Sequence, residues 1–290
     1  MFWIGFDIGG TFTDIVAVDT LHHRVIATKT PTTPQDPSEG AVTGIRQLLH
    51  EHSIEVNDIY RVVHGTTIAT NTLIEGTGAR VGFLCNEGFG DVVEIGRMFR
   101  EELYDINFSK TPPLSPRDMR VEIPTRIDAD GTRVSQLDEE TTVNRILQLQ
   151  TRGTEAYAIG LLHSYSHPDD EIYIRDLILQ LEPTAMISLS HELSGEYGEV
   201  ERWGTAIVNA YLMPKIQIYL SNLAIRLTEL GIAAPIEVMQ SNGGIVLVDV
   251  AARLPVRLLE SGPAGGVAGM ARVASQIGAE DLITFDMGGT

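Results

Sequence analysis

The feature that most constrains this chain is a short pattern that occurs near both ends: Gly5-Phe6-Asp7-Ile8-Gly9-Gly10-Thr11 and Thr284-Phe285-Asp286-Met287-Gly288-Gly289-Thr290. In each copy an apolar strand ends in Phe-Asp-x-Gly-Gly-Thr. Paired glycines allow a tight turn and let backbone N–H groups approach an anion with no Cβ in the way. Hydroxyls at Thr11, Thr13 and Thr290 add donors for phosphate oxygens. Asp7 and Asp286 cannot bind phosphate directly, because both partners are anionic. An aspartate at a strand end suits a magnesium ion or its waters instead. Thr13–Asp19 reads as a second strand, so the first copy is a hairpin and not the strand-to-helix loop of a P-loop. Neither a Walker lysine nor a G-x-G-x-x-G run is present. An ordinary hairpin turn would explain one copy. Two copies behind the same Phe-Asp suggest two related lobes that clamp one polyphosphate.

Between the copies the chain alternates strand and helix. The patterning predicts strands at Phe2–Asp7, Thr13–Asp19, Arg24–Thr30, Arg61–His64 and Arg80–Cys85, with a helix from about Ser38 to His52. A threonine-rich helix start follows at Thr66–Asn71, where hydroxyls can cap free N–H groups. Residues 96–116, rich in charges, aromatics and proline, read as an excursion from the sheet, and Asp128–Gly131 as a turn between short strands. Beyond it come a helix at Asp138–Arg152, a strand at Ala156–Leu162, a helix at Pro168–Leu181 and a strand at Ala185–Leu189. A long helical region from Glu196 to Leu230, broken or kinked at Pro214, leads to a strand at Ile236–Gln240. A helix from about Ala264 to Ile277 and a strand at Leu282–Asp286 complete the pattern, with a domain boundary near Pro183–Ser194. Such alternation means sheets covered by helices.

Charge removes several function classes. The chain carries 21 Lys and Arg against 39 Asp and Glu, a formal net charge of -18. Neutralising phosphate backbones or anionic headgroups needs clustered cations, so nucleic acid and acidic membrane surfaces are poor partners. No apolar run approaches the roughly 20 residues that span a bilayer, and the N-terminus lacks the basic and apolar regions of a signal peptide. The single cysteine, Cys85, forms no internal disulfide and fits a reducing, cytoplasmic setting. Residue composition therefore leaves an acidic α/β protein whose anion sites must rest on backbone N–H groups, hydroxyls and magnesium.

Six blocks follow one another along the chain: Asp7-Ile-Gly-Gly-Thr-Phe-Thr-Asp14, His64-Gly-Thr-Thr-Ile-Ala-Thr-Asn71, Gly88-Phe-Gly-Asp-Val-Val-Glu-Ile-Gly-Arg97, Asn209-Ala-Tyr-Leu212, Gln240-Ser-Asn-Gly-Gly244 and Glu260-Ser-Gly-Pro-Ala-Gly-Gly266. Together they resemble the hydantoinase A/5-oxoprolinase family of the actin-like, sugar-kinase and heat-shock ATPase superfamily. The two Gly-Gly-Thr loops are similar to that superfamily's phosphate-1 and phosphate-2 motifs. The resemblance implies an α/β, actin-like (ribonuclease H-like) first lobe with a mixed sheet and flanking helices. Family members are much longer, so it also implies an N-terminal piece that stops as the second lobe begins. Residues 1–185 would be the N-terminal domain of the family, and 190–290 the start of its hydantoinase A domain.

By the same resemblance, the whole protein uses ATP and Mg2+ to open a cyclic amide such as a hydantoin or 5-oxoproline, phosphorylating a ring carbonyl oxygen first. Ketone carboxylation, a small-molecule kinase and a non-enzymatic actin-like ATPase are the rival readings. A hydantoinase B-type subunit is the implied partner. Asp7 and Asp286 take the catalytic places, with Asp7 orienting magnesium through water. Gly9, Gly10, Thr11, Thr13, Gly288, Gly289 and Thr290 hold phosphate.

Further candidates have plainer alternatives beside them. His64, Thr66 and Thr67 stand where a strand meets a helix start, and could bind an anionic or carbonyl group or simply cap the helix; Asn71 follows on that helix. Glu260, Ser261 and Gly262 open a glycine-rich loop whose free N–H groups could meet phosphate, with Pro263 suited to the first helical position. Close helix packing is the alternative. His163, His167 and His191 lack a third ligand for zinc and read as structural. Cys85 reads as a buried, inert thiol. Arg97 and Arg100 either bind an anion or pair with Glu101 and Glu102.

Overall fold

The computed structural model describes residues 1–33, 35–99 and 102–285. The chain divides into two compact units, residues 1–77 with 215–290, and residues 78–214. In chain order, strands β1 (Phe2–Ile8), β2 (Phe12–Asp19) and β3 (Arg24–Pro31) precede helix α1 (Pro37–Glu51), strand β4 (Ile59–Thr66) and the short helix α2 (Ile68–Ile74). The second unit holds β5 (Val81–Asn86), α3 (Val92–Ile95), β6 (Arg120–Ile123), β7 (Arg126–Ile127), β8 (Arg133–Ser135) and α4 (Glu139–Thr151). It continues with β9 (Ala156–Gly160), α5 (Asp169–Leu181), β10 (Ile187–Leu189), α6 (Ser190–Leu193) and the first part of α7 (Glu199–Glu229). The chain re-enters the first unit at Lys215, inside α7, and adds β11 (Ile236–Met239), β12 (Ile245–Leu247), α8 (Val248–Arg253) and α9 (Ser261–Ile277).

The first unit is built on a mixed six-stranded sheet, order β12-β11-β4-β1-β2-β3. β1, β4 and β11 are parallel, and β2, β3 and β12 run against their neighbours. Ile4, Phe6 and Ile8 on β1 alternate with more exposed residues and so line one face. On that face α1 buries Ala41, Ile45 and Leu48. Its start is fixed locally: Asp36 accepts from Ser38 N–H at 3.1 Å, and Pro37 supplies a helical φ where no N–H is needed.

The second unit holds a parallel sheet, order β10-β9-β5-β6. Every residue of β5 and β9 is buried, as befits central parallel strands covered on both faces. Leu84, Ile123, Ile146, Ile159, Ile174 and Leu189 belong to its core. The expected turn at Asp128–Gly131 joins β7 and β8, with Gly131 at φ 85°.

Three sequence expectations need correction. α7 continues through Pro214, because buried side chains on both sides, from Trp203 to Leu227, outweigh the lost backbone bond. α9 starts at Ser261, which places Pro263 third in the helix, still within the turn whose N–H groups lack intrahelical partners. Residues 282–285 form no strand; Ile283 and Phe285 are exposed, and no described strand pairs with them. The first compact unit is assembled from both ends of the chain. Among the described residues no helix is long and apolar enough to cross a membrane.

Candidate functional site

The parallel strands β1, β4 and β11 end at one edge of the first unit, the edge at which open α/β sheets bind ligands. Gly9-Gly10-Thr11 joins β1 to β2 there. Gly9 N–H donates to Phe12 O at 3.0 Å and closes the hairpin. Thr32 braces it, its N–H donating to Thr11 O and its hydroxyl to Gly9 O, each at 2.9 Å. Neither glycine has a left-handed φ, and a Cβ on Gly10 would meet open space. The turn therefore does not require glycine at position 10. A missing side chain there opens the backbone to approach from outside.

Asp7 lies across from Gly65 on β4 and from Asp14 on β2. One Asp7 carboxylate oxygen lies 2.8 Å from where a Gly65 Cβ would stand, so glycine at 65 lets the carboxylate rest against the strand. Asp7 and Asp14 are both exposed, and like charges directly opposite destabilise a strand pair. Lys29, 3.0 Å from Asp14, offsets part of that repulsion, and a divalent cation would offset more. Among the described residues no group of three or more His, Cys, Asp or Glu could hold a metal. The donor set at this edge is one or two carboxylates, which fits magnesium completed by waters and phosphate oxygens.

The other predicted segments meet at the same edge. Thr67 Oγ1 donates to Ile8 O at 3.3 Å, and Asn71 Nδ2 donates to Thr67 Oγ1 at 3.4 Å. Thr66 Oγ1 accepts from Ile68 N–H at 3.1 Å just ahead of α2, whose N-cap Thr67 makes no side-chain cap bond. Ser261 Oγ donates to Thr66 O, and Glu260 N–H to Thr70 Oγ1, both at 3.0 Å. Gly262 packs beside Thr67. Glu260 has φ 57°, uncommon for a residue with a side chain, and starts α9 without a side-chain cap. At the end of β11, Gln240, Ser241, Asn242 and Arg257 line a hollow of about 240 Å³.

Four predicted residues are buried: Thr66 and Ser261, joined by the Ser261 hydroxyl, and His64 and Thr13. His64 is fully buried and stacks on Phe6 at 4.5 Å. Its Nδ1–H donates to Phe6 O at 3.4 Å, and its Nε2 accepts from the Tyr219 hydroxyl at 2.6 Å, a tautomer that follows from these bonds. Burial holds its pKa down to about 3, so the ring is neutral. Burial likewise raises the Tyr219 phenol, with the charges of Asp36 and Asp7 adding to the effect. Thr13 is buried, and its hydroxyl shares a hydrogen bond with Thr32 Oγ1 at 3.1 Å. Asp286, Gly288, Gly289 and Thr290 lie outside the described residues, as do Arg100 and Glu101.

Sequence reasoning missed a polar centre in the second unit. Glu171 is fully buried, and its carboxylate accepts from Leu161 N–H at 2.9 Å, Ser190 Oγ at 2.6 Å and His191 Nδ1 at 2.6 Å. Buried Arg202 donates to Ser190 Oγ, Glu196 O and Leu161 O. In the sequence Glu171 reads only as one of three acids in the first turn of α5. Tyr219 also went unnoticed, because it sits in the long apolar helical run. Arg97 pairs with Glu201, at 2.7 Å from Nε, while Glu101 lies outside the described residues. The Cys85 thiol is pushed up to about 12 by burial and then by Glu122, the state of an inert thiol.

Comparison with known proteins agrees with the six sequence blocks. A family model described as "Hydantoinase/oxoprolinase N-terminal region" matches residues 3–181, and one described as "Hydantoinase/oxoprolinase" matches residues 202–290. Caprolactamase subunit alpha of Pseudomonas jessenii is 34% identical over 99% of this chain and 42% of its own length. The crystal structure of the ATP-dependent caprolactamase from that organism superposes with a TM-score of 0.88 at 33% identity, over 99% of this chain and 42% of that one. Nucleotide-free acetone carboxylase superposes with a TM-score of 0.85 at 26% identity, over 95% of this chain and 41% of that one. The chain thus spans about two fifths of the length of these relatives. The fold is that of an actin-like first lobe.

Proposed function

Since the chain belongs to the hydantoinase/oxoprolinase family, we propose that the protein containing it is an ATP-dependent enzyme that opens a cyclic amide. The observation that carries this reading is the open Gly9-Gly10-Thr11 turn beside two exposed, opposed aspartates, at the strand ends where Thr67 and Ser261 also gather. Bound ATP would supply a phosphoryl group to the ring carbonyl oxygen and turn a poor leaving group into a good one. The chain's own part is positioning and charge. Backbone N–H groups at Gly10 and Thr11 meet phosphate oxygens without the repulsion that an acidic surface otherwise imposes. Asp7, supported by Asp14, would hold Mg2+ through water, and the ion would neutralise charge on the transferred group.

Thr13 keeps the hairpin closed by bonding Thr32, so in this reading phosphate contacts fall to the turn. His64, neutral and bonded on both nitrogens, holds β4 against α7 and leaves substrate contact to Thr67, Asn71 and the start of α9. Asp286, Gly288, Gly289 and Thr290 remain proposed as the opposing phosphate loop. Residues 1–185 and 190–290 remain proposed as the two family domains. A hydantoinase B-type partner subunit is part of the proposal, supported by the caprolactamase relative being named a subunit.

The test is a label-transfer assay with the full-length protein and its partner subunit. A hydantoin, 5-oxoproline or lactam carrying heavy oxygen in the ring carbonyl should pass that label to inorganic phosphate as ATP is consumed. A stable phosphorylated product would point to a kinase. ATP turnover stimulated by ketones and bicarbonate, and by no cyclic amide, would point to a carboxylase like the acetone carboxylase relative.

A further inference from the structure

We infer that the second unit carries a separate site for a small dianion, a phosphoryl or dicarboxylate group, held by Arg145 of α4 and Arg152 at its C-cap, with Arg120 beneath them. A cavity of about 650 Å³ opens beside β6, between the Gly90-Asp91 segment and α4. Four arginines line it: Arg117, Arg120, Arg145 and Arg152. The chain has only 21 Lys and Arg in total, so four around one cavity is a strong local concentration in an acidic protein.

The helix explains how they gather. Ile146 and Leu149 of α4 are buried in the core, and Arg145, Gln148 and Arg152, at spacings of three and four, share the neighbouring face. Arg120 stands on β6 with its side chain only 3% exposed, donating to Ser115 O at 2.8 Å, Gly90 O at 3.2 Å and Glu94 Oε2 at 2.8 Å.

The carboxylates of the lining are already committed. Glu122 accepts from Gly88 N–H and Gly90 N–H, each at 3.0 Å. Asp118 pairs with Arg80 at 3.2 Å, and Asp91 pairs with Arg117. Arg145 and Arg152 have no carboxylate within ion-pair distance among the described residues. Arg145 donates to Gln148 Oε1 at 3.4 Å, and Arg152 donates to the backbone oxygen of Asp118. Two guanidinium forks thus face one cavity without a carboxylate paired to either, although Glu122 keeps its charge in the lining, and such forks match phosphate or carboxylate oxygens in pairs. Val121 is the only apolar side chain of the lining and no aromatic is present, so a nucleotide base or other flat apolar group would find no surface to stack on. The cavity shares no residue with the Gly9–Thr11 turn. Its ligand is therefore a second anion, independent of the proposed ATP.

The experiment is calorimetric titration of the full-length protein with inorganic phosphate and, separately, with succinate, for wild type and the R145Q/R152Q double variant. Arg145→Gln alone serves as a second variant, because that exposed side chain is not needed for folding. Saturable binding of one or both probes, weakened about tenfold or more in the double variant and in the same direction by Arg145→Gln, is the expected result. Phosphate alone identifies a phosphoryl ligand and succinate alone a dicarboxylate. No binding of either probe overturns the assignment. So does phosphate binding that both variants retain, which would place the anion at the turn in the first unit.

Discussion

Two polar groupings in this molecule are built to opposite rules. Around Glu171 in the second unit the charged and hydroxyl groups are buried, and each has a partner: the carboxylate takes donors from Leu161, Ser190 and His191, and Arg202 closes the network. At the strand ends of the first unit, Asp7, Asp14, Gly10 and Thr11 are exposed, two carboxylates oppose each other, and a glycine stands where no neighbour demands one. A satisfied buried network holds a fold in one arrangement. An exposed and sterically open grouping with two opposed carboxylates at the strand ends, their repulsion offset in part by Lys29, fits the proposed place for a phosphate and a cation. In the proposed function, the difference separates polar residues that serve stability from those that bind ligand.

Substitutions should break this contrast in a definite order. Glu171→Ala leaves Ser190, His191 and the Leu161 N–H without their acceptor and Arg202 without its nearby counter-charge, and should cost about 3–5 kcal/mol of stability in denaturant unfolding. ATP turnover per folded molecule should be unchanged.

A second effect concerns His64, whose neutral buried ring has its pKa lowered from the ordinary 6.5 to about 3. The unfolded chain binds a proton at this site where the folded one does not, so the contribution is present above 6.5 and is lost as pH falls from 6.5 towards 3. Across that window the unfolding equilibrium should shift by about tenfold per pH unit. His64→Gln should remove that acid sensitivity, seen as a shallower fall in unfolding midpoint with pH. An unaltered profile would show that the ring is not the buried base described here.

The smallest change expected in the fold, with a clear change in function, is Gly10→Ala. The added Cβ meets open space, so the unfolding free energy should stay within about a few tenths of a kcal/mol, while the KM for ATP rises about tenfold. Loss of stability with normal KM would mean that glycine serves the turn alone.

Much of the fold was legible because its signals are local. β1 follows from its apolar run, β2 from alternation and the β7–β8 turn from Asp128–Gly131, whereas the Asp36 cap of α1 is seen only in the structure. The gathering of Thr67, Ser261 and the hairpin needed three-dimensional pairing of distant segments, and only the family blocks anticipated it. Glu171 and Tyr219 were illegible for a physical reason: their significance lies in partners brought in by packing, and nothing in an acidic helix start or an apolar helix reports that. His64 and Thr13 show the converse. Both stand inside family motifs, yet β-strand alternation turns them to the core, away from the Asp7 face.

The central claim is that Asp7, at the end of β1, serves ATP chemistry and not the fold. Its most direct test is the steady-state ATP turnover of full-length Asp7→Asn, with the amide substrate present, beside its thermal unfolding curve. The account predicts loss of stimulated turnover on the order of a hundredfold or more with the unfolding transition in place. Wild-type turnover in a folded Asp7→Asn protein would contradict it.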